Sequence, residues 1–221
     1  GLNSLKTFGR ETAPQFTADE MRAAVAAANR LGLPVMVHAN GRVPVGEAVA
    51  AGCASIEHGF FMGRGNLVRM ADMGTVWVPT SVTMAAYARM LEKGGRFGGV
   101  ASGADLDVVH RNCDHQLEQL HQAREAGVTV AVGTDAGSLG VDHGTAVAEE
   151  MRLLSRAGYS TEAVVQAATR NGARLLGLTD RGRLQPGLRA DIIAVKGPPS
   201  GLIDQLTHPA AVYIKGRRLS F

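Results

Sequence analysis

Short apolar runs alternate along this chain with longer stretches whose apolar positions recur every three or four residues. Thr17-Ala-Asp-Glu20 has the form of a capping box and precedes an alanine-rich run that stops at Leu31-Gly32, which predicts a helix. Pro34 then opens a short apolar strand over 35–38. The unit repeats: a helix over 47–51 with Gly52 leads to a strand over 54–58, and a helix over 67–73 with Gly74 leads to a strand over 75–79. Beyond a glycine-rich stretch (Gly94, Gly95, Gly98, Gly99, Gly103), a long helix over 105–126 ends at Gly127 and a strand over 128–135 follows. Helices are expected over 146–156 and 160–176. The segments 191–195 and 211–215 then read as strands with no helix between them, a separate small β layer.

Apolar strands joined through helices require parallel pairing with right-handed crossovers, which leaves a barrel segment or a doubly wound sheet. The polar residues choose between them. His38, His58, Thr80 and Asp135 each stand at the C-terminal end of a strand, the face on which a β/α barrel builds its chemistry.

Composition narrows the picture further. The 221 residues are 45% apolar, 19% charged and only 5% aromatic, so the core is built from Ala, Val, Leu and Met in an α/β fold. The net charge of +3 comes from interleaved residues without a run of five like charges, which argues against nucleic acid as partner. No apolar run approaches the roughly 20 residues of a membrane helix. Two cysteines, Cys53 and Cys113, give no disulfide framework and fit a cytoplasmic location, any leader lying upstream of Gly1. The chain begins without Met and reads as a piece of a longer protein.

Imidazole and carboxylate at three strand ends, His38, His58 and Asp135, form a donor set for a divalent metal: Zn²⁺ first, with Fe²⁺, Mn²⁺ and Co²⁺ as alternatives. Such an ion activates water, and Asp135 is placed to act as general base. Tyr87 and Arg89, read as lying in the loop after a strand, are candidates for recognising a substrate carboxylate. Asn40, on the loop after His38, is a further candidate for substrate contact. The segment 133–137 lacks Walker spacing, and the glycine-rich stretch reads as a mobile lid or excursion rather than a nucleotide site.

Val37-His-Ala-Asn-Gly41, Ile56-Glu-His-Gly59 and Val132-Gly-Thr-Asp-Ala-Gly137 resemble the signatures of strands five, six and eight of the amidohydrolase superfamily. The segment 167–177 resembles the helix that closes the family barrel, and 182–192 the re-entry into its β-sandwich. The resemblance runs from about residue 5 to 221 and is strongest to the imidazolonepropionase-like and Xaa-Pro dipeptidase-like branch. It implies the C-terminal part of a TIM (β/α)8-type barrel, about five strands over 1–180, and the C-terminal strands of a small β-sandwich over 181–221. It also implies hydrolysis of an amide C–N bond by metal-activated water, in a dipeptide or an N-acyl amino acid. His38 and His58 would bind the more solvent-facing metal and Asp135 the deeper one. Asp135 would shuttle the proton, and His58 would help stabilise the oxyanion. Lys6, carboxylated on a strand over 5–8, would bridge the metals, and His143 beside Gly144 would touch substrate.

The departure from the family is the H-x-H pair of its first strand. The seven histidines, 38, 58, 110, 115, 121, 143 and 208, include no two that stand two apart. Alone, the chain is therefore expected to be inactive, and at full length it is expected to form a homo-oligomer. The alternatives are a hydrolase of cyclic amides or imidazolone-type rings, a non-catalytic scaffold on this fold, and one half of a split enzyme.

Overall fold

The computed structural model describes residues 5–95 and 104–220; most of the glycine-rich stretch read as a lid lies outside them. Helix α1 (Ala18–Arg30) carries the expected capping box. The Glu20 N–H donates to Thr17 Oγ1, and the Thr17 N–H donates to the Glu20 carboxylate at 2.8 Å. Then follow β1 (Met36–Ala39), α2 (Arg42–Ala51), β2 (Ser55–His58), α3 (Arg64–Met73) and β3 (Val76–Val78). Gly52 and Gly74 end α2 and α3 at φ of 86° and 69°, where the chain reverses toward the next strand.

The three strands form one parallel sheet in the order β1-β2-β3. Ile56 and its register partner Trp77, both fully buried, pack into the main core with Val45, Val49, Leu67, Met70, Leu120 and Leu154 from the helices. The neighbouring row, His38 opposite Glu57 opposite Val78, belongs to the other face.

Two expected strands do not form as strands. Along 128–135 the chain lies parallel to β3 but makes only an isolated bridge, with the Trp77 N–H bonded to Thr129 O and the Ala131 N–H to Trp77 O, both at 2.9 Å. On its other side the Val132 N–H finds Ala167 O instead of a neighbouring strand. Leu5–Phe8 is not extended either: Leu5 is buried against Phe60, Phe61 and Val109, and its carbonyl accepts the Asp105 N–H at 3.1 Å. The observed parallel sheet thus has three strands, which fits part of a barrel.

A helix also appears where a loop was expected, α4 (Ser81–Glu92). It is followed by α5 (Leu106–Ala126), α6 (Thr145–Arg156), α7 (Thr161–Gln166), a π-helical turn Ala167–Asn171 and α8 (Gly172–Leu175). The C-terminal strands β4 (Ile192–Ala194), β5 (Ala211–Ile214) and β6 (Arg217–Arg218) pair antiparallel in one sheet. A 3₁₀ turn, Pro199–Gly201, and the one-turn helix α9 (Leu202–Gln205) stand between β4 and β5, contrary to the uninterrupted pair of strands expected. A second sandwich layer is not present among the described residues.

Candidate active site

Polar residues collect where the parallel strands end, and the backbone there is strained. His58 (φ 69°), Thr80 (φ 48°) and Asp135 (φ 52°) are non-glycine residues in the left-handed region. That conformation costs about 1 kcal/mol or more per residue and is characteristic of functional sites. It also has a geometric consequence. The register sets His38 opposite Glu57 and His58 opposite Ala39, so plain alternation would send the two imidazoles to opposite faces. The left-handed turn at His58 ends the alternation and the rings meet, with centroids 4.9 Å apart and His38 Nδ1 2.8 Å from His58 Nε2.

The His58 ring is held from behind. Its Nδ1 hydrogen-bonds the Thr80 hydroxyl at 2.7 Å. With Nδ1 carrying the proton, Nε2 presents its lone pair toward His38. The peptide is pinned as well: His58 O accepts from Trp77 Nε1 at 3.0 Å and from Gln116 Nε2 at 3.1 Å, and Gly59 O accepts from Gln119 Nε2 at 2.7 Å. Burial, followed by the neighbouring His38, pushes the His58 pKa down to about 4, against an opposing pull from Asp135. His58 is therefore neutral at pH 7, the form in which imidazole is a ligand. Burial raises the Glu57 carboxyl, even though the Ser55 hydroxyl donates to it at 2.6 Å.

Asp135 is exposed at the end of its segment and accepts a hydrogen bond from the Ser138 hydroxyl at 2.8 Å. Ser138 also hydrogen-bonds Tyr87, whose phenol is pushed up by burial and then by the Asp135 charge. Tyr87 thus stands beside Asp135, but on α4 rather than on a loop. Arg89, on the same helix, makes a two-pronged ion pair with Glu149. Asn40 is buried and its Oδ1 accepts the Phe60 N–H at 2.8 Å, tying two strand-end loops together. His143 is exposed, its Nε2 3.6 Å from where a β-carbon on Gly137 would stand. Lys6 is exposed and lies on no strand, so the strand expected to carry it is not formed.

His38 Nδ1 and His58 Nε2 share a hydrogen bond, so one of the two nitrogens carries a proton; with that proton gone they would be two donors for a divalent metal, and the Thr80 contact the outer hydrogen bond that such ligands carry. Asp135 does not join them: among the described residues no three His, Cys, Asp or Glu side chains come close enough to hold one ion. The fit is that of a partial donor set. Glu57, Gln116, Gln119 and the fully buried Glu150 are parts of the site or its support that pattern reading passed over, and Thr80, read as a strand-end polar residue, had no role assigned to it. A signal did exist for three of them. Gln116 and Gln119 stand three apart on the buried face of α5, and Glu150 interrupts the apolar stripe Ala146, Leu153, Leu154 of α6.

Among the described residues no helix is long and apolar enough to cross a membrane. The model of the Amidohydrolase family matches residues 3–219. An uncharacterised protein of Mycobacterium tuberculosis is 30% identical over 207 residues, 94% of this chain and 53% of that protein. The imidazolonepropionase of Paracoccus denitrificans is 30% identical over 185 residues, 80% of this chain and 39% of the enzyme. The crystal structure of a Xaa-Pro dipeptidase with methionine bound in its active site superposes with a TM-score of 0.80 at 32% identity, over 96% of this chain and 52% of that one. The chain spans about half the length, or less, of these relatives.

Proposed function

The chain belongs to the amidohydrolase family, and on that premise we propose that the full-length protein hydrolyses the amide C–N bond of a small substrate, a dipeptide or an N-acyl amino acid. In this reading 1–180 is the C-terminal part of the catalytic barrel and 181–221 contributes strands to a separate β domain. The observation that carries it is the convergence of His38 Nδ1 and His58 Nε2 at 2.8 Å, with Thr80 fixing the second ring from behind.

His38 and His58 would hold a divalent ion, Zn²⁺ first, which when bound lowers the pKa of water and polarises a carbonyl. The work of this chain's own residues is orientation and proton handling. The Thr80 hydroxyl and the two carbonyl bonds at His58 keep the ring from turning. The exposed Asp135 carboxylate, steadied on Oδ2 by Ser138, accepts a proton from the attacking water and returns it to the leaving amine. Tyr87, bonded to Ser138 beside that carboxylate, is placed to contact substrate. The likeness to a Xaa-Pro dipeptidase favours a dipeptide, and the imidazolonepropionase relative supports a cyclic amide as the second reading.

Metal analysis of the purified full-length protein, followed by a panel of dipeptides, N-acyl amino acids and cyclic amides, tests the reading. Stoichiometric divalent metal that is lost in His38→Ala and His58→Ala, with turnover of one of the first two classes, supports it. Turnover of cyclic amides alone selects the second reading. Metal at background level overturns both in favour of a non-catalytic scaffold.

A further inference from the structure

Thr80 occupies the N-cap position of α4, where a threonine hydroxyl ordinarily accepts an N–H from the first turn of the helix. Here it makes no such bond and is turned onto Nδ1 of His58 at 2.7 Å. The helix end is capped by a residue remote in sequence. Glu150, on α6, accepts the Ser81 N–H on Oε1 at 3.0 Å and the Val82 N–H on Oε2 at 2.7 Å. Glu150 is 0% exposed and makes no ion pair among the described residues; what its carboxyl meets are the two N–H groups at the positive end of α4. Docking α4 onto α6 does not require this burial, because the Arg89–Glu149 pair already joins the two helices nearer the surface.

We propose that Glu150 is a positioning residue that caps α4 in place of Thr80 and so releases the Thr80 hydroxyl to orient the His58 imidazole toward His38. Removing the carboxylate leaves two helix-end N–H groups short of an acceptor; beside them stand the Ser81 hydroxyl, buried without a hydrogen bond, and the Thr80 hydroxyl, which at the N-cap is the one drawn onto the helix end. Its hydroxyl then leaves His58, and the ring loses what selects its tautomer. The consequence for metal affinity rests on the reading of His58 as a ligand; the consequence for the ring itself does not.

The test is Glu150→Gln in the full-length protein, read by imidazole ¹⁵N spectra with His58 assigned, by chelator competition for zinc, and by thermal unfolding. In Gln, one carboxylate oxygen becomes an NH₂ that faces an N–H. The expected result is that His58 passes from one tautomer to a mixture and that zinc binds about tenfold more weakly. Thr80→Val should reproduce both changes, while Glu149→Gln, which removes a charge one residue away, should change neither. His58 resonances that superpose on those of the wild type while the melting temperature falls would overturn the inference and leave Glu150 a docking residue only. Should Glu150→Gln not fold, Glu150→Asp keeps the charge but shortens the reach, and unchanged His58 resonances there overturn it equally. A wild-type protein that binds no zinc would defeat the ligand reading, and the spectra would still decide the role of Glu150.

Discussion

A β-carbon at Gly59 would stand 2.7 Å from Trp77 Nε1 and 2.8 Å from Met62 Cε, on a backbone whose φ is +64°. Gly59→Ala therefore strains the peptide that follows His58. It should destabilise by about 1–3 kcal/mol in urea unfolding, as overpacking in a tight core does. Trp77→Phe removes one of two donors to His58 O, while Gln116 still serves it, and leaves a cavity where the fully buried indole stood. About 2–3 kcal/mol is expected from the same measurement. Asp135→Asn contrasts with both. The side chain is exposed, so the urea midpoint should barely move, while kcat in the full-length protein should fall by about 10² to 10⁴ if Asp135 relays the proton. At this scale His38, His58 and Asp135 could be singled out in the sequence because an imidazole or carboxylate at the end of an apolar run has little reason to be there otherwise. Thr80 stood out at a strand end as well, but its bond to His58 could not be read there, because nothing local says which way its hydroxyl turns.

Among the elements, α1 is the most legible, with its start marked by Thr17 and Glu20. Thr17→Ala should cost about 1 kcal/mol, visible as faster amide exchange in the first turn of α1. Helix α4 was not legible. Its apolar residues, Val82, Met84, Ala86 and Ala88, alternate as a strand might, and its cap is provided from α6. Burial raises the pKa of Glu150 from its ordinary 4.5 to about 7, so between those values the folded chain binds the extra proton. Its contribution to stability is therefore full below about pH 4.5 and declines as pH rises to about 7. The wild-type urea midpoint minus that of Glu150→Gln should fall across this window and level off above it. A difference that rises with pH would contradict the assignment.

Taken whole, the molecule leaves apolar surface uncovered. Ile193, Ile214 and Leu219 are exposed at 56%, 45% and 43% and share one face of the antiparallel sheet. At the edge of the parallel sheet Met36 is exposed at 55%. An open sheet edge and an apolar face of this kind favour association. The 221-residue chain by itself is expected to self-associate and to unfold over a broad urea range. A monodisperse monomer with one steep transition would refute this.

The sequence by itself determined the alternation of strands and helices from α1 to β3, the β character of the tail and the standing of His38 and His58 at strand ends. These follow from local period, caps and residue type, which act over a few neighbours. The tertiary structure alone decided what needs a partner distant in the chain. Residues 128–135 remain a single bridge because β3 pairs with them on one side and no strand on the other. Leu5 turns onto the start of α5 instead of a strand, its carbonyl accepting the Asp105 N–H. His58 meets His38 because a left-handed backbone, Thr80 and a helix cap drawn from α6 together fix where its ring points.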